Sequence, residues 1–103
     1  MKHFLLTYSL APDYLERRPA FRAEHLDRAQ AAAARHELLL GGAVFDGGGG
    51  VPEEAQLLFA GDTPEAAEAF ARGDPYVTNG LVLAWRVREW ITVVGEGASQ
   101  PVI

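Results

Sequence analysis

The sequence has no cysteine, so disulfides and thiolate chemistry are excluded, and the compartment leans toward the cytoplasm. No apolar run approaches the roughly 20 residues that cross a bilayer, so no membrane role is expected. The N-terminal MKHFLLTYSLAP is interrupted by Thr7 and Ser9 and is followed by no small-residue cleavage site, which makes it a strand rather than a secretory leader. Positive charge is scarce. Nine Lys and Arg against fourteen Asp and Glu give a formal net charge of −5, and the bases are mixed among the acids, which opposes binding to a phosphate backbone. Nucleic acid is therefore not an expected partner. There is no HExxH or CxxC, and the glycines at 47–50 lack the Lys-Ser/Thr ending and the following helix of a P-loop. No metal or other cofactor is expected.

What is present is the balance of a folded globule, 49% hydrophobic and 22% charged over 103 residues, a length that supports one core but not two. Residues 1–95 read as that domain and 96–103 as a tail with little to pack on, frayed or reaching onto a partner. KHFLLTYS at 2–9 has the composition of a first strand. From Tyr14 the chain turns helical, with Pro19 restarting the helix ahead of the Ala-rich run to Glu37. ELLLGGAVF follows as a strand in which the Gly pair signals a bulge or a close backbone approach, and the glycines at 47–50 form a hairpin loop. AQLLFAGD is a third strand, PEAAEAFAR a helix capped by Asp62 or Thr63, and 75–78 a short turn ending at Asn79-Gly80. LVLAWRVREWITVVG is a long last strand, apolar on both faces for most of its length, which implies that a second surface is covered by another subunit. The order βαββαβ predicts an α+β, ferredoxin-like fold: an antiparallel sheet with two helices on one face.

Three histidines are the first candidates for chemistry. His3 begins a strand and His36 ends a helix, and both have ordinary structural roles. His25 differs. At about 100° per residue it falls in the arc of Phe21, Leu26, Ala29, Ala32 and Ala33, facing the sheet, while Glu24, Asp27, Arg28, Gln30 and Arg35 take the opposite arc. Its bland alternative is a satisfied core histidine, but Arg22 stands beside it, and burying both calls for an anion, water or ligand nearby. A buried imidazole also needs a partner for its second nitrogen, commonly a carboxylate. The loop aspartates are Asp13, Asp46, Asp62 and Asp74, and Asp74 is itself ambiguous, because Asp-Pro is a common start to a short helix. Tyr8, Tyr14 and Tyr76 have packing as their simplest role, and Trp85 and Trp90 core or interface. Gly41 and Gly42 either admit a ligand to the backbone or relieve strand twist.

Together FLLTY, FRAEHL, LLLGGAV, EAAEAFARGDPYV and NGLV…RVREW resemble the YciI-like (YCII-related) domain over residues 2–94, with DPY after the second helix and the inward His as the most specific parts. The resemblance implies a ferredoxin-like subunit pairing face to face as a dimeric α/β barrel, with a pocket between helices and sheet. It implies a catalytic pair at His25 and Asp74, with Arg22, Gly41, Gly42 and Tyr76 as ligand contacts. One type of member removes chloride from a chlorinated hydroxyhydroquinone, so the expectation is a cofactor-free homodimeric enzyme doing acid–base elimination or hydrolysis on a small phenolic metabolite. The alternative is a ligand-binding or structural dimer without catalysis. The run of four glycines and the tail depart from the family pattern.

Overall fold

The computed structural model describes residues 1–47 and 50–102. Its elements are β1 (Lys2–Leu10), α1 (Tyr14–Ala34), β2 (Leu38–Val44), β3 (Glu54–Gly61), α2 (Glu65–Gly73), α3 (Pro75–Thr78) and β4 (Val82–Glu89). The strands form one sheet in the order β2-β3-β1-β4, with every neighbouring pair antiparallel. This is the ferredoxin-like plan read from the sequence, with α3 added as a single turn.

The core follows from strand alternation. Phe4, Leu6, Tyr8 and Leu10 of β1 are buried on the helix side, and register sets Phe4 opposite Phe59, Leu6 opposite Leu57 and Tyr8 opposite Ala55. On the other flank Tyr8 meets Trp85 and Leu6 meets Val87. Ala67, Phe70 and Ala71 of α2 close over these strands, and Leu81 is fully enclosed between α3 and β4. Burying each large apolar side chain contributes about 1.5–3 kcal/mol. By contrast α1 buries only Tyr14 and Ala32 completely, so its middle stands over a gap rather than on packed side chains. The sheet below that gap carries small residues, Gly41, Gly42, Ala43 and Ala55.

Several expectations are corrected. Pro19 does not restart α1 but lies inside one continuous helix, six positions in, where only its own missing N–H interrupts the ladder. Arg28 is not on the outer arc: it lies over the Phe70 ring at 5.3 Å and its Nη2 donates to the Phe70 carbonyl at 3.1 Å. The inner stripe is therefore Phe21, His25, Arg28, Ala29 and Ala32, while Leu26 and Ala33 are exposed. In β2 the register shift falls between Leu38 and Leu40, ahead of the Gly pair. The last strand ends at Glu89, because its partner β1 begins at Lys2 and the final contact is Trp90 N–H to the His3 carbonyl at 2.9 Å. Nor is β4 apolar on both faces. Trp85 and Val87 pack inward, whereas Ala84, Arg86 and Arg88 follow Ser9, Thr7 and Leu5 on the outer face.

The tail turns back rather than fraying. Gly95 and Gly97 take φ of 102° and 89°, and the returning chain donates from Gln100 N to Thr92 O and from Val102 N to Val93 O, each at 2.9 Å. The loop expected at 47–50 lies partly outside the described residues. His3 and His36 have the structural roles expected of them. His3 Nδ1 is 2.7 Å from the Thr92 hydroxyl. His36, at φ 63°, supplies the left-handed residue that ends α1, while its N–H and that of Glu37 bond Ala33 and Ala32.

Candidate functional site

Asp74 sits where α2 gives way to α3, and its side chain is completely buried. Pro75 at the head of α3 leaves the next free N–H to Tyr76, and that N–H donates to Asp74 Oδ1 at 3.0 Å. The helix cap foreseen from Asp-Pro is therefore real. The same carboxylate does more than cap: Tyr8 Oη donates to Oδ2 at 2.7 Å, and His25 Nδ1 lies 2.8 Å from Oδ1. Three donors thus converge on this carboxylate from β1, α1 and α3. Because Nδ1–H donates to Asp74, the neutral imidazole carries its lone pair on Nε2, for which no protein partner occurs among the described residues.

Aromatic rings hold the imidazole in place. It stacks on Tyr76 with centroids 3.9 Å apart and planes 10° from parallel, and meets Phe70 edge-on at 6.2 Å. Tyr14 in turn meets Tyr76 edge to face at 5.6 Å. His25 is left 15% exposed, enough to touch a ligand and too little to rotate freely. Burial first, then the Asp74 charge and hydrogen bond, push the Tyr8 hydroxyl far above its ordinary value, with the Arg28 charge pulling the other way. Tyr8 is thus a fixed proton donor to Asp74. The Tyr76 hydroxyl is pushed up to about 12, chiefly by burial and then by Tyr14, while Arg22 and Arg18 pull it down.

These groups open onto a cavity of about 240 Å³ between α1 and the sheet. Its wall brings together five of the residues named from the sequence, His25, Arg22, Gly41, Gly42 and Tyr76; the sixth, Asp74, lies beneath His25 and Tyr76. A Cβ at Gly41, which faces inward beside Leu57, would meet Leu57 Cγ at 3.4 Å, so this glycine keeps the floor low, whereas one at Gly42, on the opposite face of the strand, would meet nothing within 4 Å. The cavity also contains Tyr8, Tyr14 and Arg18, which were not expected as site residues. Arg18 was within reach of the sequence: it stands four residues before Arg22 and seven before His25, on the same helix stripe. Tyr8 shares the inward alternation of Leu6. The other loop aspartates lie elsewhere, Asp13 beside Arg17 at 4.0 Å and Asp62 along a separate groove.

Among the described residues no three His, Asp or Glu side chains gather as metal ligands. The polar residues lining the cavity are two arginines, three tyrosines and a histidine, a set that suits an anionic or acidic oxygen compound.

Among solved structures, the fold is similar to that of 5-chloro-2-hydroxyhydroquinone dehydrochlorinase (TftG) from Burkholderia phenoliruptrix AC1100, solved in complex with 2,5-dihydroxybenzoquinone. The TM-score is 0.72 at 23% identity, covering 87% of this chain and 94% of that one. It is also similar to protein Atu4242 from Agrobacterium tumefaciens, with a TM-score of 0.57 at 15% identity over 96% of this chain and 98% of that one. A NIPSNAP domain protein from Burkholderia xenovorans gives 0.50 at 13% identity, over 95% and 98%. At these identities the likeness is one of fold. No curated protein matches the sequence. A family model does match, that of the YCII-related domain, over residues 1–91.

Proposed function

The chain belongs to the YCII-related domain family, and from that premise we propose that it is a small-molecule enzyme in which His25 and Asp74 form an acid–base dyad acting on an oxygenated ring. The observation that carries this reading is the fully buried Asp74 carboxylate bound to His25 Nδ1, which directs the unpartnered Nε2 to the cavity chemistry. Asp74 fixes the tautomer and stabilises the imidazolium that forms when Nε2 takes a proton. Arg22 holds the ring oxygen on which negative charge develops. In an elimination, the proton goes to His25 and the leaving anion departs with its bonding pair, so the ring loses HX with no external oxidant. Proton transfer of this kind contributes about 10²–10⁴ in rate, enough for an activated ring. The similar fold of TftG, whose name states dehydrochlorination of a hydroxyhydroquinone, supports that choice of substrate class.

The proposal includes a homodimer joined through the sheet face away from the helices. Leu40 and Val44 stand 73% and 45% exposed there, and Trp90 and Ile91 at the end of the sheet are about half exposed. Light scattering at micromolar concentration checks this, with the dimer mass expected and a monomer mass contradicting it.

One observation favours a second reading. Asp74 also caps α3 and anchors Tyr8, so the carboxylate has a structural reason to be present without catalysis. A binding module built on the same pocket would use it in that way. Halide release from 5-chloro-2-hydroxyhydroquinone and related halogenated dihydroxybenzenes, followed for wild type and His25→Ala, separates the two. Release by wild type that falls at least a hundredfold in the variant supports the enzyme. Binding without release, unchanged in the variant, gives the binding module.

A further inference from the structure

Three buried polar atoms have no partner among the described residues, the Nε of Arg18, the Nε of Arg28 and the hydroxyl of Tyr76, and two of the three belong to residues that line this cavity, Arg18 and Tyr76. Buried donors are nearly always satisfied, by protein or by what the protein binds. Tyr76 is 2% exposed, so its hydroxyl is not simply facing bulk water. Arg18 is placed rather than loose, with its guanidinium carbon 5.6 Å from the Tyr14 ring centroid. Arg18, Arg22 and Tyr76 all line the same cavity.

Neither arginine is in an ion pair among the described residues. The ion pairs among the described residues use Arg17, Arg35, Arg72 and His25 instead. Other cations also lack acid partners, but Arg18 and Arg22 are the two that line one cavity together, where a counter-charge from outside fits. The volume of about 240 Å³ lies below the roughly 300 Å³ at which drug-sized pockets begin, which limits the visitor to a single substituted ring.

We propose that Arg18 and the Tyr76 hydroxyl form a second oxyanion subsite beside Arg22, so that the pocket selects a monocyclic dianion whose two anionic oxygens are phenolate, enolate or carboxylate. The inference rests on the reading of the pocket as a site for an oxygenated ring and adds the charge that ring carries. Because the Tyr76 hydroxyl ionises only at about 12, it remains a proton donor to the second oxygen throughout the neutral range.

The test compares two probes by calorimetric titration near neutral pH: 2,5-dihydroxybenzoquinone, doubly ionised there, and 2-hydroxy-5-methoxybenzoquinone, singly ionised. Wild type is expected to favour the dianion at least tenfold, the worth of one charge-assisted contact. Arg18→Gln is expected to reduce that preference below threefold, and Arg18→Lys to restore part of it. Tyr76→Phe gives a smaller loss of preference and carries the test if Arg18→Gln does not fold. Equal binding of the two probes by wild type, or equal weakening of both by Arg18→Gln, overturns the second subsite while leaving the ring-binding reading intact. Failure of folded wild type to bind either probe overturns both.

Discussion

Helix α1 carries arginines into two hollows, and the hollows differ in what those arginines meet. Toward its C-terminal end, Arg28 and Arg35 border an open groove of about 810 Å³ with α2 and the start of the chain. There Arg28 donates to the Phe70 carbonyl and Arg35 pairs with Glu37 at 2.9 Å. Toward its N-terminal half, Arg18 and Arg22 border the cavity of about 240 Å³ that holds His25, and neither is in an ion pair among the described residues. At the larger hollow Arg35 is answered by Glu37, whereas Arg28 has a carbonyl but no acid, and its Nε has no partner among the described residues. The smaller one gathers two arginines without acid partners, the buried Tyr76 hydroxyl and an imidazole at one enclosed place, and such convergence is a better sign of a ligand than space.

The comparison breaks hardest at Asp74. Replacing it with Ala strands three buried donors, Tyr8 Oη, Tyr76 N–H and His25 Nδ1–H, and is expected to cost about 3–5 kcal/mol, read as a loss of urea midpoint at constant slope. Asp74→Asn keeps the volume but presents one amide NH₂ to donors, so the protein folds with a smaller loss and turnover falls by at least about a hundredfold. Survival of full activity in Asp74→Asn contradicts the dyad.

Arginine substitutions sharpen the contrast between the hollows. Arg22→Gln is expected to weaken an anionic ring ligand about tenfold or more, as measured by calorimetry. Arg35→Gln, at the groove and paired only at the surface, is expected to change the same affinity less than about twofold. Equal effects from the two would remove the distinction.

Two glycines test how far the helices are fixed. Gly80 holds φ at +79° with only Arg17 Nη1 nearby at 3.8 Å, so Gly80→Ala costs backbone strain alone, about 1–2 kcal/mol in chemical denaturation. A Cβ at Gly73 would come within 2.7 Å of the Arg28 guanidinium, the mobile end of a long side chain. Gly73→Ala gains helix propensity and loses the Arg28 contact, so its net effect stays within about 1 kcal/mol.

The smallest effect is alkaline. Tyr76 is neutral in the folded protein up to about 12 but ionises near its ordinary value of 10.0 once unfolded. Its contribution to stability is therefore complete below pH 10 and lost as pH rises from 10 to 12. Tyr8, raised further by burial and Asp74, acts in the same direction. Tyr76→Phe should flatten the fall in thermal midpoint above pH 10, and an unchanged slope would show that the hydroxyl is not held neutral.

Much of this was legible in the sequence because it depends on period. The inward arc of α1 placed His25 toward the sheet, whereas β1 reads only as a strand, and its inward set of Phe4, Leu6 and Tyr8 comes from the structure. Asp74 could not be resolved between cap and partner, and the structure shows why: one oxygen of the same carboxylate accepts from both Tyr76 N–H and His25. Arg28 was misplaced because helical angle alone ignores α2, whose Phe70 ring and carbonyl draw that side chain inward. The length of β4 was overestimated because propensity knows nothing of where the partner strand begins. Arg18 lay on the right stripe, but its lack of an acid partner is a property of three dimensions.

The most direct measurement is proton NMR of the histidine rings while 2,5-dihydroxybenzoquinone is added. The three histidines occupy distinct settings: His25 at the cavity, His3 against Thr92, and His36 exposed at the end of α1. The account predicts a saturable shift of the His25 resonances, with His3 and His36 unmoved, and loss of that shift when Arg18 and Arg22 are both replaced by Gln. A His25 signal that stays in place at saturating probe, or a shift shared equally by His36, would contradict it.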